Sequence, residues 1–556
     1  MSIKKETHRR EFLKALVGSS VYFSGLSSLF PEANAQDIVE DLCVKDWTNH
    51  HSYLCGAFKP VVGDMAVSEP LKVIEGRVPP EINGYFFRNG PNPLFDPPGL
   101  YHWFDGDGMV HCAEFRNGQV WYRRALVKTE RLAAEQRRQR SIRKGASESF
   151  GWKGGVWDIG FGGNNNGMAD NLWALNSSNT GLIWHHGKLL SGWYIGGKPY
   201  ELELTSLDTV GKYDFNGQLE PKRGVYAHSK VDPVTGELFF IDTTFNVLPG
   251  WPDFLFICRV EKDGQKIHTA KIPMPGARVL HDLAITENYV ICVIPATPQL
   301  EPGLLGYSKK ARTQVIIIPK SEINLKNTKP IYARVELDFA YVLHTVNAFE
   351  TVMADGKVKL TFEATRIPDP ADPELENSLS VPRINYSNFC SHACQWNFEL
   401  APKVGSLQAK VDYIEGRQLI EHMTEFPTIN MAHNGQYSRY AYFPKFAAKN
   451  IAVFDGLMKY DRDRDSVEIF NYPAGEYGSE AQFIPRSGSL DHRFNIENKF
   501  IEDDGWVVAF VAKENGRNAE LYIWEAPSFK YGPVARLEIP AHIPLGFHGL
   551  WVPQDS

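Results

Sequence analysis

Cysteine is scarce in this chain. Only seven occur among 556 residues, at positions 43, 55, 112, 258, 292, 390 and 394. A disulfide-built scaffold is excluded, because such folds are short and densely stocked with paired cysteines. Cys390 and Cys394 have no second pair nearby, so they read as buried or loop thiols rather than as half of a zinc site. Cys43 and Cys55 could pair in an oxidising compartment, and the sequence leaves that open. Positive charge is also short. Lys plus Arg number 59 against 66 Asp plus Glu, a net charge of −7. Nucleic-acid binding needs a clustered basic surface, which this balance does not favour. The apolar runs are far shorter than a series of membrane spans requires, at roughly 20 residues each. Helical periodicity is rare and no strand–helix–strand alternation is visible, so a doubly wound sheet is excluded. No Pro-rich linker divides the chain.

What the chain does have is 46 Gly, 35 Pro and 12% aromatic residues. With 43% hydrophobic and 22% charged residues it has the composition of a globular protein rather than a disordered one. From about residue 70 onward, apolar runs of four to eight residues alternate with Gly, Asn or Asp turns. Gly236 to Ile241, Tyr289 to Ile294 and Trp506 to Val511 are examples. Many short strands without a dividing linker predict one closed all-β structure, and a β-propeller fits. The best helix candidate is Glu130 to Arg143. Two stretches break the strand rhythm. Residues 131–171 pass from a basic segment into an aromatic, Gly-rich run holding Phe150, Trp152, Trp157 and Phe161, and residues 366–388 read as a long loop.

Residues 1–35 read as a targeting peptide. Lys4, Lys5, Arg9 and Arg10 form a basic head, Ala15 to Phe30 is weakly apolar, and Ala33-Asn34-Ala35 precedes a cut at Gln36. The segment from His8 to Lys14 resembles a twin-arginine signal, which exports folded proteins to the periplasm. The remaining chain, 36–556, would carry 54 basic and 63 acidic residues, a net charge of −9.

Four of the 17 histidines share one setting, among small or apolar residues and turn formers: His228, His281, His344 and His548. They are 53, 63 and 204 residues apart. A seven-bladed propeller of this size would use about 69 residues per blade, so the spacing suits one histidine from each of several blades, all facing the axis. Four neutral imidazoles make a site for iron, copper, zinc or nickel. Ligand histidines need a partner on the second ring nitrogen. Glu425 and Glu480 sit in or beside apolar stretches where an unpaired charge would be costly, and they are the candidate partners.

Local motifs sharpen this reading. Phe87-Arg88-Asn89-Gly90-Pro91-Asn92-Pro93 resembles a hallmark of the carotenoid cleavage oxygenase family. Phe104-Asp105-Gly106-Asp107-Gly108, His228 to Glu237, and His344 with Asn347-Ala348-Phe349-Glu350 are similar to others. So are Glu425-Phe426-Pro427, Glu502-Asp503-Asp504-Gly505 and Gly546-Phe547-His548-Gly549. They run in the family's order from about residue 59 onward. The resemblance implies a seven-bladed propeller capped by a dome of loops and short helices. It implies non-haem Fe(II) on His228, His281, His344 and His548, with Glu425 and Glu480 behind the ligands. It implies cleavage of a carbon–carbon double bond by O2 into two carbonyl products. His111 occupies a structural motif position rather than a fifth ligand position.

Two positions depart from the family pattern. Ile195 stands where a third carboxylate partner is usual. Tyr194 and Leu126 stand where stilbene-cleaving members grip a phenol with Lys and Tyr. An apolar apocarotenoid or carotenoid-like alkene is therefore the expected substrate. The alternatives are a stilbene or phenylpropanoid substrate, an isomerase or monooxygenase outcome at the same iron, and a retinoid-binding propeller without catalysis. The aromatic run from Phe150 to Phe161, rimmed by Arg and Lys, would suit peripheral contact with a membrane or an ordered loop on the dome.

Overall fold

The computed structural model describes residues 52–97, 101–141, 176–244, 253–274, 280–295, 300–301, 304–305, 312–338, 340–367, 390–403, 405–449, 451–486 and 502–554. Residues 1–35, read above as a targeting peptide, lie outside these residues, as do Cys43, the aromatic run Phe150 to Phe161 and nearly all of 366–388. Strands dominate, and every strand pair is antiparallel. One α-helix occurs among the described residues, Glu130–Arg138. It begins where the Thr129 side chain accepts the Leu132 amide, a standard N-cap. It stops short of the expected Arg143 because Gln139 turns left-handed, at φ 52°, and reverses the chain. No described helix is long and apolar enough to cross a membrane.

Most sheets hold four or five strands. One larger sheet has ten, and it divides at the short strand Glu476–Gly478, which joins Phe454 of one half to Val511 of the other. Divided there, the described sheets make seven antiparallel units of four or more strands, beside one two-stranded ribbon. Successive residues of a strand face opposite sides. In Leu238–Thr243, Phe239 and Ile241 pack forward on the unit containing Leu283 and Ile316, while Leu238 and Phe240 pack backward on the unit containing Ile183 and Leu190. Both faces of a unit are therefore covered by neighbours, which is why its strands read as continuous apolar runs rather than as alternating ones.

The apolar clusters link the units in a closed cycle. Phe87 joins Leu189; Ile183 joins Phe240; Ile257 joins Ile316; Ile317 joins Phe362. Ala393 then joins Phe443, Leu457 joins Trp524, and Trp506 returns to Phe115 and Trp551. Backbone pairing closes the ring twice. Gly549–Pro553 adds to Gly84–Pro91 in the first large sheet, and Lys72–Gly76 adds to Ala535–Glu538 in the last. The result is an all-β propeller.

Candidate metal centre

The four histidines come from the innermost strand positions of four units. His344 lies within Tyr341–Val352. His228 precedes Lys230–Val231, His281 precedes Leu283–Ile285, and His548 precedes Gly549–Pro553. His548 is held by the Arg88-Asn89-Gly90 segment: Asn89 N donates to the His548 carbonyl at 3.0 Å, and Phe547 N donates to the Asn89 carbonyl at 2.8 Å. The two chains approach so closely that a Cβ on Gly90 would lie 2.6 Å from Gly546 Cα, which is why both positions are glycine.

The rings converge. His228 Nε2 and His281 Nε2 are 3.0 Å apart, and His281 Nε2 and His344 Nε2 are 3.3 Å apart. His548 joins them, its ring centre 4.4 Å from that of His228 and 4.8 Å from that of His344. Burial first, and then the neighbouring imidazoles, hold His228, His281 and His344 well below the ordinary histidine pKa. They are therefore neutral rings.

Two carboxylates stand behind the rings. His344 Nδ1 is 2.7 Å from Glu425 Oε2, and His548 Nδ1 is 2.6 Å from Glu480 Oε2. A carboxylate accepts only, so each Nδ1 donates and each Nε2 lone pair is left for the centre. Glu425 also accepts from Ser391 Oγ at 2.8 Å, and burial pushes its carboxyl up to about 7 despite that bond. Glu480 further accepts from Gly549 N at 2.9 Å and Gln482 Nε2 at 2.7 Å.

The donor set fits a transition metal. At 3.0 Å two neutral Nε2 atoms either share a proton in an N–H···N hydrogen bond or turn both lone pairs toward a cation between them. Two nitrogens bound at about 2.1 Å and at right angles would lie about 3.0 Å apart, as these do. Among the described residues, His228, His281 and His344 have ligand atoms that all lie within 4.8 Å of one another, close enough to hold an ion.

The surroundings differ on two sides. Phe426 lies 4.8 Å from the His344 ring and 5.0 Å from His548. Phe547 stacks on Phe426, and Trp103 and Phe104 pack on Phe547. Phe426 itself is left-handed, at φ 55°, a conformation that bulky residues rarely adopt. The other side is a cavity of about 390 Å³ lined by His228, His344 and His548 together with Lys230, Asp282, Thr345 and Gln482.

The remaining sequence candidates fall elsewhere. His111 is buried and bonded to Tyr122 Oη at 2.8 Å, beside Phe510. Ile195 is buried. Tyr194 packs on Phe104, and Leu126 packs among Met109 and Leu132. Cys55 is disulfide-bonded, whereas Cys390 and Cys394 are free thiols. Phe426, Phe547, Trp103 and Asp282 were not picked out as site residues by the sequence. The polar residue directly after His281 and after His344, each inside an apolar run, was the available signal for Asp282 and Thr345.

An all-β propeller with a buried cluster of imidazoles backed by carboxylates defines a metal-dependent enzyme class. The chain belongs to the retinal pigment epithelial membrane protein (RPE65) family, the carotenoid cleavage oxygenases, whose pattern matches residues 58–553. It is similar to a carotenoid 9,10(9',10')-cleavage dioxygenase of Crocus sativus, 30% identical, with 94% of each chain covered. Its fold matches the lignostilbene dioxygenase of Pseudomonas brassicacearum, with a TM-score of 0.69, 23% identity, 90% of this chain and 98% of the other. It also matches a cobalt-substituted apocarotenoid oxygenase of Synechocystis, with a TM-score of 0.71, 21% identity, 91% of this chain and 99% of the other.

Proposed function

We propose that this chain is a non-haem Fe(II) dioxygenase that cleaves a carbon–carbon double bond of an apolar conjugated alkene, of apocarotenoid or carotenoid type, into two carbonyl products. One observation carries the reading: an all-imidazole cluster lies against a wall of aromatic rings, with Phe426 in contact with two of the histidines. His228, His281, His344 and His548 would hold the ion, and Glu425 and Glu480 keep His344 and His548 turned toward it. When bound, Fe(II) supplies the point at which O2 is activated beside the alkene. The protein's part is orientation and dryness. Phe426 presses an apolar ring on His344 and His548, with Phe547, Trp103 and Phe104 packed behind it, which supports a water-poor centre suited to an apolar alkene. Tyr194 and Leu126, in place of a phenol-gripping Lys and Tyr, favour an apolar substrate over a stilbene phenol. The basic head of residues 1–35 and the disulfide at Cys55 support an exported, periplasmic protein.

Ile195, which offers no carboxylate, favours a second reading: a metal-stabilised propeller that binds retinoid or carotenoid without turnover. Iron-reconstituted protein incubated with 18O2 and panels of apocarotenoids and stilbenes separates the readings. Label in both carbonyl products of an apocarotenoid is expected. Label in one product only marks a monooxygenase. Tight binding with no turnover of any alkene overturns the enzyme reading.

A further inference from the structure

Asp282 follows His281 and is buried, with 5% of its surface exposed. Four donors reach its carboxylate. Leu283 N and Lys230 Nζ meet Oδ1 at 2.7 and 2.8 Å. Thr345 N and Thr345 Oγ1 meet Oδ2 at 2.7 and 2.9 Å. These donors fill the acceptor capacity of a carboxylate. They also come from three units of the ring. Lys230 stands two residues after His228, and Thr345 directly follows His344. The backbones of His228 and Asp282 are bridged as well. Each of His228, His281 and His344 thus has a close sequence neighbour fastened to this one side chain, or is its neighbour.

We propose that Asp282 is a positioning residue: it lashes three inner strands together and so fixes the spacing of His228, His281 and His344. A buried ion pair is weak support for stability by itself, because desolvation offsets the attraction. Holding three ligands at one spacing is what this pair and its two Thr345 bonds accomplish. Glu425 and Glu480 act on the rings they bond; Asp282 acts on the strands that present the rings.

The inference rests on the reading that these histidines hold a metal, and the test separates the two. Metal-free full-length protein is titrated with Co(II), following d–d absorption against a competing chelator. If the parent chain binds no Co(II), the metal reading itself fails. If it binds, Asp282→Asn is expected to weaken affinity by about 10- to 100-fold, as loss of ligand-supporting groups does, and to alter the absorption bands. Asp503→Asn, at the buried Lys459–Asp503 pair between a strand and a turn that carry none of the four histidines, is the control, expected to keep the parent's affinity and bands. Parent-like affinity and bands in Asp282→Asn overturn the proposal, and so does an equal loss in Asp503→Asn. If Asp282→Asn does not fold, Thr345→Val and Lys230→Met replace it. Each is expected to weaken binding severalfold, and parent-like binding in both overturns the proposal.

Discussion

The two halves of the histidine cluster are built differently. His344 and His548 each bond a carboxylate through Nδ1, at 2.7 and 2.6 Å. His228 and His281 come together at 3.0 Å from strands joined by a backbone bridge and by Lys230 and Asp282. A ring bonded at its far nitrogen is fixed in rotation, tautomer and basicity. Among the described residues the His228 and His281 rings bond no carboxylate, and their strands hold them in place. Preorganisation of one centre can thus be shared between electronic and mechanical supports.

The comparison breaks first at the ligands themselves. His→Ala at 228, 281, 344 or 548 is expected to abolish stoichiometric iron binding, measured by metal analysis after reconstitution. Full occupancy in any one variant removes that histidine from the set. The next effect is smaller. Glu425→Gln and Glu480→Gln are each expected to weaken metal binding by about 10- to 100-fold while the fold persists, as circular dichroism would show. Equal affinity in parent and variants would erase the distinction between the halves.

A third effect is on the stability of the metal-free protein against acid. His102, His111, His228, His281 and His344 are buried with depressed pKa values, His102 at about 3. As pH falls through the unfolded value near 6.5, the unfolded chain takes up protons that the folded chain refuses. Stability then falls by up to about 1.4 kcal/mol per pH unit for each histidine. Glu425 works the other way, since its raised value of about 7 lets the folded metal-free protein hold a proton that the unfolded chain lacks. Urea midpoints of metal-free protein should therefore drop between pH 7 and 5.5, and the drop should steepen in Glu425→Gln. An unchanged slope in that variant would mean that Glu425 is already ionised.

Much of this was legible in the sequence, for a local reason. A histidine or a glutamate inside an apolar run is anomalous wherever it occurs, and His228, His281, His344, His548, Glu425 and Glu480 all stand out that way. Tyr289 to Ile294 was legible as a strand because its apolar run ends at turn signals on both sides, and the structure has a strand over the same residues. The helix end was not legible, because Arg140 and Arg143 suit a helix as well as a loop and only the left-handed Gln139 decides. The aromatic wall was not legible because Trp103, Phe426 and Phe547 meet only after the ring closes. The polar Asp282 could be noticed in its apolar run, but its role was hidden for the same reason, since its partners Lys230 and Thr345 lie on other units.

Ring closure has one further consequence. The strand that completes the first large sheet, Gly549–Pro553, begins immediately after His548. During synthesis the segments carrying His228, His281 and His344 leave the ribosome long before it, at roughly 5–20 residues per second. The latch of the ring and the last imidazole therefore arrive on the same few residues. The four-histidine set is thus complete only when the strand that closes the first large sheet is also in place.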